Sequence, residues 1–334
     1  MTTILVVGYG LIGRERVQAL DDLHRQGFKI DQILVVDPNV FPGESPSLPP
    51  TATSVPDLEQ ALEQNPSLVV VATPHDTVVT VLRQILPSEK RVLLEKPLGR
   101  SLEEARSIVS QLRSPDQLQV GFNYRFFPGI RRALNDALEG RFGSLISVSM
   151  VLGHGGTPGM EKGWKFDPIR AGGGCLIDPG IHLLDLCNLL GPQKLQFAGG
   201  HSWSGFWKTG IEEEVHLLLK SGSVAFNLQV SVVRWRSTFR MEIHGTKGYG
   251  IVTGRGRSYG RQVYSRGKRW GWMTASSQAA SEEVVIDSDA NSSFRDEIAA
   301  ILGGASEGPP PCSAASAVRA MEVYDECLKA LGDA

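Results

Sequence analysis

The chain has 334 residues, with 34 Lys and Arg against 36 Asp and Glu, so its formal charge of −2 gives no broad field to draw nucleic acid or a membrane surface. Its 41% hydrophobic and 21% charged residues are those of a globular protein that can bury a sizeable core, which excludes a disordered chain and a disulfide-held miniprotein. The length points to two domains.

Short apolar runs at Ile4–Val7, Ile33–Val36, Leu68–Ala72, Val92–Leu94 and Leu118–Val120 predict strands covered on both faces. Amphipathic segments alternate with them at Leu11–Gln26, Asp57–Gln64, Thr77–Leu86 and Ser101–Leu112, the last opened by a Ser101/Glu104 capping box. This alternation predicts an α/β domain over residues 1–121 built on a doubly wound parallel sheet, with Phe41–Pro50 as an irregular excursion. Beyond Val120 the pattern changes. A helix at Ile130–Glu139 precedes strand-like runs at Leu145–Leu152, Leu195–Trp203, Glu213–Leu219, Ser223–Trp235 and Thr238–His244. Helices are predicted at Leu176–Leu190, Phe294–Leu302 and Ala314–Leu331, with Pro309-Pro310-Pro311 between the last two. Residues 122–334 therefore read as an α+β domain whose mainly antiparallel sheet packs one face on helices.

Cys175, Cys187, Cys312 and Cys327 form no C-x-x-C pair, so a zinc ribbon or thioredoxin-type motif is unsupported, and few cysteines suit a reducing compartment. No apolar run reaches the ~18 residues of a membrane span, and Met1-Thr2-Thr3 enters the first strand without a basic stretch. The chain reads as cytoplasmic.

Four motifs carry chemistry. Gly8-Tyr9-Gly10-Leu11-Ile12-Gly13 joins a buried strand to a helix as G-x-G-x-x-G. Gly8 allows the tight turn, Gly10 lets a pyrophosphate approach the backbone, and Gly13 lets helix and strand pack. The helix N-terminus offers N–H groups to the phosphates. The plain alternative is a glycine-rich turn with no ligand. Asp37 closes the second strand near the spacing expected for the acid that bonds ribose hydroxyls. A carboxylate there repels a 2′-phosphate and no Arg follows it, which favours NAD over NADP. In Glu95-Lys96-Pro97 the ammonium of Lys96 ends a strand, where it can steady an alkoxide-like oxygen; alone, such a tripeptide is an ordinary turn. The fourth motif runs from Gly172-Gly173-Gly174-Cys175 to Asp178-Pro179-Gly180-Ile181-His182 and Asp185. On a helix Asp178 and His182 share one face, and a His beside a carboxylate suits proton transfer near neutral pH. Asp185 competes with Asp178 as the partner of His182, Asp178 alone could be an N-cap, and His182 alone could be a satisfied core histidine. The three glycines would let a loop approach a ligand. A metal site from Cys175, Asp178 and His182 lacks a fourth-ligand pattern.

These motifs, with Gly121-Phe122-Asn123-Tyr124-Arg125-Phe126 and a Gly245-Thr246-Lys247-Gly248 turn, together resemble the glucose–fructose oxidoreductase/inositol dehydrogenase (Gfo/Idh/MocA) family over nearly the whole chain. The resemblance implies an N-terminal Rossmann domain and a C-terminal α+β domain whose large open sheet serves substrate binding and oligomer contacts. It implies that Lys96 bonds the reacting hydroxyl and the nicotinamide ribose, that His182 is the general acid/base, and that Asp178 is a second substrate contact or proton partner. It sets Thr73 and Pro74 along the cofactor and counts His75 and Glu95 among the cofactor-binding residues, with Asn123, Tyr124 and Arg125 at the mouth and Trp164 in the pocket wall. His75 stands where the family often has Asn beside the nicotinamide, and Val78 near where it often has His.

The expected activity is reversible oxidation of a secondary alcohol of a sugar, polyol or nucleotide-linked sugar with NAD, by a homo-oligomer (dimer or tetramer) without nucleic-acid or membrane partners. A non-catalytic, cofactor-responsive regulator on the same fold is the alternative. Arg255, Arg257, Arg261, Arg266, Lys268 and Arg269 crowd a glycine-rich stretch, either as a solvated loop or as a clamp for a substrate anion.

Overall fold

The computed structural model describes residues 2–40, 48–268, 281–286, 292–304 and 308–332. These fall into two compact units. One holds the described residues up to 123 together with those of 292–304 and 310–318; the other holds those from 124 to 286 with 308–309 and 319–332.

The first unit runs β1 (Thr3–Val7), α1 (Leu11–Arg25), β2 (Gln32–Val36), β3 (Ala52–Ser54), α2 (Leu58–Glu63), β4 (Leu68–Val71), α3 (Val78–Ile85), β5 (Arg91–Glu95), α4 (Leu102–Val109) and β6 (Leu118–Gly121). Its strands are parallel in the order β6-β5-β4-β1-β2-β3. This is the doubly wound arrangement, in which the winding reverses beside the first strand. Ile4, Leu5 and Val6 of β1 and Val69, Val70 and Val71 of β4 are fully buried. That burial explains the uninterrupted apolar runs, since the sheet is covered on both faces. Ser101 caps α4 by accepting from Glu104 N (3.2 Å), while the Glu104 carboxylate reaches back one residue further, to Arg100 N (2.8 Å). Of the Phe41–Pro50 excursion, residues 41–47 lie outside the described residues.

The second unit opens with α5 (Pro128–Leu138) and β7 (Leu145–Gly153), followed by α6 (Pro168–Ala171), α7 (Ile181–Leu190), β8 (Gln196–Trp203), β9 (Glu214–Ser221), β10 (Val224–Ser231), β11 (Thr238–Gly245), β12 (Gly248–Thr253), β13 (Gln262–Lys268) and β14 (Ser281–Ile286). Its eight strands lie in the order β14-β13-β12-β11-β7-β10-β9-β8 and pair antiparallel except for β7 with β10. Alternation is clean along β9, where Val215, Leu217 and Leu219 are buried and the intervening Leu218 is exposed. The helix α5 covers β11, β12 and β13.

Two features differ from the sequence reading. The glycine- and arginine-rich stretch after Thr253 is not a free loop throughout, because β13 threads through it. Arg266 is held there by Glu282 of β14 (2.7 Å) and Asp136 of α5 (2.9 Å), on the same face of β13 as the buried Gln262 and Tyr264, so a basic side chain stands on the helix-covered face because acids meet it there. The C-terminal segment also does not stay with the second unit. The next helix, α8 (Ser292–Ile301), packs on α1, with Ile298 and Ile301 in the same core cluster as Leu20 and Leu23. Then β15 (Cys312–Ser313) adds an antiparallel edge strand to β6, and α9 (Ala314–Gly332) ends the described chain. The chain therefore leaves the first unit at residue 123 and returns to it after 291, where Ile298 and Ile301 of α8 join the core cluster that holds the apolar face of α1.

Candidate active site

In the first unit, strand register brings the separate motifs to one edge. Val7 lies opposite Val36 and Val71, and Val71 opposite Leu94. The residues that follow, Gly8, Asp37, Thr73 and Lys96, therefore sit at the carboxyl ends of neighbouring strands around the point where the winding reverses, the usual ligand position on such sheets. Gly8 has φ +94°, and a Cβ on it would lie 2.6 Å from the Ala72 carbonyl oxygen. A Cβ on Gly13 would lie 2.0 Å from the Gly8 oxygen. Gly10 differs: it is exposed at the N-terminus of α1, and a Cβ there meets nothing within 4 Å. Two glycines thus close the turn and the third leaves room in front of the first helical N–H groups. Tyr9 is buried, Leu11 exposed and Ile12 half-buried along this turn. The Asp37 carboxylate accepts from Tyr9 N (2.7 Å) and Asn39 N (2.8 Å), which fixes it beside the turn. The Thr73 hydroxyl is buried with no hydrogen-bond partner, Pro74 is half-buried, and His75 is buried in the turn that follows. An open helix N-terminus, a fixed carboxylate and an orphaned hydroxyl suit a dinucleotide.

Lys96 is half-buried, one residue beyond β5, and its bond to Pro97 is cis. The Glu95 carboxylate before it accepts from Arg16 Nε (2.6 Å), and Arg16 Nη2 also bonds Glu297 of α8 (2.6 Å). Burial works against the Arg16 charge, but the two carboxylates overcome it and its pKa is raised. A Cβ on Gly121 would come within 2.7 Å of Arg16 Nη2, so this glycine makes room for the guanidinium. The sequence reading singles out Glu95 but misses Arg16 and Glu297, which stand far from it in the chain. Asn123, also in this unit, donates from its buried amide to the Ser293 hydroxyl (2.9 Å).

In the second unit the His182 ring, 4% exposed, stacks on Tyr124 with centroids 4.0 Å apart and planes at 12°. Tyr124 meets Phe127 and Phe239 edge-on and lies beneath the guanidinium of Arg255, 5.1 Å from the ring centroid. Both Asp185 oxygens accept from the Arg125 guanidinium (2.7 and 2.5 Å), and both side chains are buried. This fixes Arg125 in the interior. Asp178 and His182 do not share a helical face as the spacing suggests, because α7 starts at Ile181 and residues 175–180 form turns. The Asp178 carboxylate instead pairs with Lys165 Nζ (2.8 Å), which also lies over the half-buried Trp164 ring. Burial lowers the pKa of the nearby His154; Asp178 raises it, and Arg255 and Lys165 lower it further.

The three glycines serve the protein itself. Gly174 N donates to the Glu212 carboxylate (2.9 Å), as does Leu176 N (3.1 Å), and a Cβ on Gly174 would meet the Glu212 carbonyl oxygen at 2.1 Å. On Gly173 it would meet the Tyr324 hydroxyl at 2.3 Å. Burial raises the Glu212 pKa. Within the protein this loop packs closely against Glu212 and Tyr324. Of the basic stretch, Arg255 lies on three aromatic rings and Arg266 is paired to acids; Arg269 lies outside the described residues. Among the described residues no group of three or more His, Cys, Asp or Glu is placed to hold a metal ion, and no helix is long and apolar enough to cross a membrane.

Residues 2–122 match the family model described as an oxidoreductase family with an NAD-binding Rossmann fold, and residues 131–250 match the GFO/IDH/MocA C-terminal domain. Inositol 2-dehydrogenase of Rhizobium meliloti (strain 1021) is 26% identical over 258 residues, covering 73% of this chain and 74% of that protein. Levoglucosan dehydrogenase of Pseudarthrobacter phenanthrenivorans is 24% identical over 209 residues, about half of either chain (54% and 54%). A levoglucosan dehydrogenase structure in complex with NADH and L-sorbose superposes with a TM-score of 0.79 at 16% identity, covering 100% of this chain and 97% of that one, a likeness of fold. With both halves of the family pattern present in order, the chain belongs to the GFO/IDH/MocA family of NAD-binding oxidoreductases.

Proposed function

We propose that this oxidoreductase moves a hydride between NAD and a secondary hydroxyl or ketone carbon of a sugar or polyol. The nicotinamide ring, when bound, supplies the hydride acceptor or donor. His182 takes the hydroxyl proton as the C–H bond breaks and returns it in the reverse direction. Lys96 donates a hydrogen bond to the oxygen as negative charge gathers there, and Asp178 is a second substrate contact. Gly8, Gly10 and Gly13 with the first turn of α1 receive the pyrophosphate; Asp37 receives the adenosine ribose and repels a 2′-phosphate. The observation that carries this reading is the buried His182 imidazole held flat on Tyr124, in a chain whose other unit presents Lys96, Asp37 and the open Gly10 at strand and helix ends. Relatives named inositol 2-dehydrogenase and levoglucosan dehydrogenase support a polyol or sugar as substrate. Four buried free thiols suit a cytoplasmic setting, and the half-open sheet face, with Ile146 and Leu218 exposed, suits a homodimer or tetramer.

A panel of polyols, sugars and sugar nucleotides with NAD and NADP, followed by nicotinamide absorbance, tests the reaction. Turnover with at least one polyol or sugar is expected, with NAD preferred. In the Lys96→Met variant turnover collapses while NAD still binds. Unchanged turnover in that variant, or none with any member of the panel, overturns the reading.

A further inference from the structure

The second unit contains a pocket of about 970 Å³ that neither His182 nor Asp178 lines. Its wall includes His154, Glu161, Phe206, Trp207, Trp235 and Tyr259. The volume is at the upper end of the ~300–1,000 Å³ usual for small-molecule sites, more than one sugar ring needs. It is linked to the catalytic candidates by direct stacking: His182 lies on Tyr124, Arg255 lies over Tyr124, and the same guanidinium sits 3.8 Å from the centroid of Tyr259.

The wall is built to stay in place. Phe206 N and Trp207 N donate to the fully buried Glu213 carboxylate (2.8 and 2.9 Å), and Trp207 Nε1 donates to the Val232 carbonyl (3.1 Å). Gly156 has φ +70°, and a Cβ on it would come within 2.8 Å of the Trp207 ring. Phe166, Trp207, Phe206 and Trp235 follow one another edge to face, ending at a Trp235 ring that is 89% exposed. Among the polar residues of the wall are Lys208, Glu161 and His154. Glu161 has a buried carboxylate oxygen with no hydrogen-bond partner. His154 Nδ1 accepts from Gly156 N (3.1 Å), which leaves Nε2 as the donor of the neutral ring.

Rigid aromatic faces beside one orphaned acceptor and one donor match a ring with apolar C–H faces and hydroxyl edges. The wall carries one acid, Glu161, and one base, Lys208, so it presents no net formal charge, which suits a neutral ligand. We propose that this pocket holds the second, non-reacting ring of a neutral disaccharide or glycoside whose other ring is oxidised. The proposal rests on the dehydrogenase reading above and gives it a substrate class.

The test compares cellobiose, maltose, lactose and phenyl glucosides with glucose and galactose in two ways: kcat/KM with NAD, and quenching of tryptophan fluorescence without cofactor. At least one two-ring compound is expected to exceed its monosaccharide about tenfold in kcat/KM, roughly 1.4 kcal/mol, and to quench at lower concentration. In Trp235→Ala, chosen because the exposed ring contributes little to folding, the ratio of two-ring to one-ring kcat/KM falls towards one. Trp207→Ala is the companion variant at the fixed wall. Equal kcat/KM and equal quenching for one- and two-ring sugars overturn the pocket assignment and leave the reaction standing. Trp235-dependent quenching by two-ring sugars without NAD reduction by any sugar supports the pocket and overturns the reaction.

Discussion

The Tyr124 phenol ring lies flat against the His182 imidazole, their centroids 4.0 Å apart. Burial pushes the Tyr124 hydroxyl pKa upward, so the phenol stays protonated through the working range and serves as a surface rather than a base. Its shape is what holds His182. Tyr124→Phe is expected to keep kcat within about threefold, since the stack survives. Tyr124→Leu removes the flat support and should lower kcat about tenfold to a hundredfold, part of the ~10²–10⁴ that a positioned acid/base provides. NAD affinity, measured by fluorescence titration, should change little in either variant.

His154 gives the second unit a pH dependence whose sign is fixed by burial. Its folded-state pKa lies below the ordinary 6.5, so the unfolded chain binds the proton more readily. The associated stability is present above pH 6.5 and is lost as pH falls through the folded value. Melting temperatures recorded from pH 7.5 down to 5 should fall, and His154→Gln should flatten part of that fall. An identical fall in the variant would remove His154 as its source.

Reading the sequence recovers what local rules control. The apolar runs ending at Val7, Val36 and Val71 become parallel strands because nothing but burial on both faces suits them, and Gly8, Gly10 and Gly13 announce their turn because their spacing falls between a buried strand and a helical pattern. Contacts between distant segments are not legible. Arg16 and Glu297 are 281 residues apart, and no periodicity links α1 to α8. Asp178 and His182 have helical spacing, yet the glycines and Pro179 keep residues 175–180 in turns, so Asp178 answers Lys165. The outer strands β12 and β13 hide because their glycines and arginines mimic a loop, while Tyr264 and Arg266 both reach Asp136 of α5.

The three glycines of the first turn should respond differently to a methyl group. Gly13→Ala forces a Cβ against the Gly8 carbonyl oxygen and should destabilise the protein by on the order of 3 kcal/mol in urea unfolding. Gly10→Ala meets no atom of the protein and should melt like the parent. Its methyl stands where the pyrophosphate is expected, so NAD binding should weaken at unchanged stability. Parent-like NAD affinity in Gly10→Ala would place the phosphates elsewhere.

Asp37 should set the choice between NAD and NADP. Asp37→Asn keeps an oxygen to accept from Tyr9 N and so preserves the turn, while removing the charge. Loss of a charged acceptor for the ribose hydroxyls should weaken NAD about tenfold. Loss of repulsion should raise the NADP-to-NAD ratio of kcat/KM. Steady-state kinetics with both cofactors measures this, and an unaltered ratio would dissociate Asp37 from the ribose.

The Arg125–Asp185 pair should behave as a structural anchor. Arg125 adjoins Tyr124 in the chain, and Asp185 lies one turn along α7 from His182, so the two hydrogen bonds tie together the elements that carry the stacked rings. Arg125→Met strands a carboxylate that is 0% exposed, and breaking such a pair typically destabilises by ~3–5 kcal/mol. Arg125→Met with Asp185→Leu leaves no uncompensated charge, so its urea midpoint should recover most of the loss. Turnover need not recover with it, because two apolar side chains pack without the fixed bidentate geometry that sets α7 against Tyr124. Recovery of stability without recovery of kcat would show that the pair orients His182 as well as holding the fold; recovery of both would reduce it to stability alone.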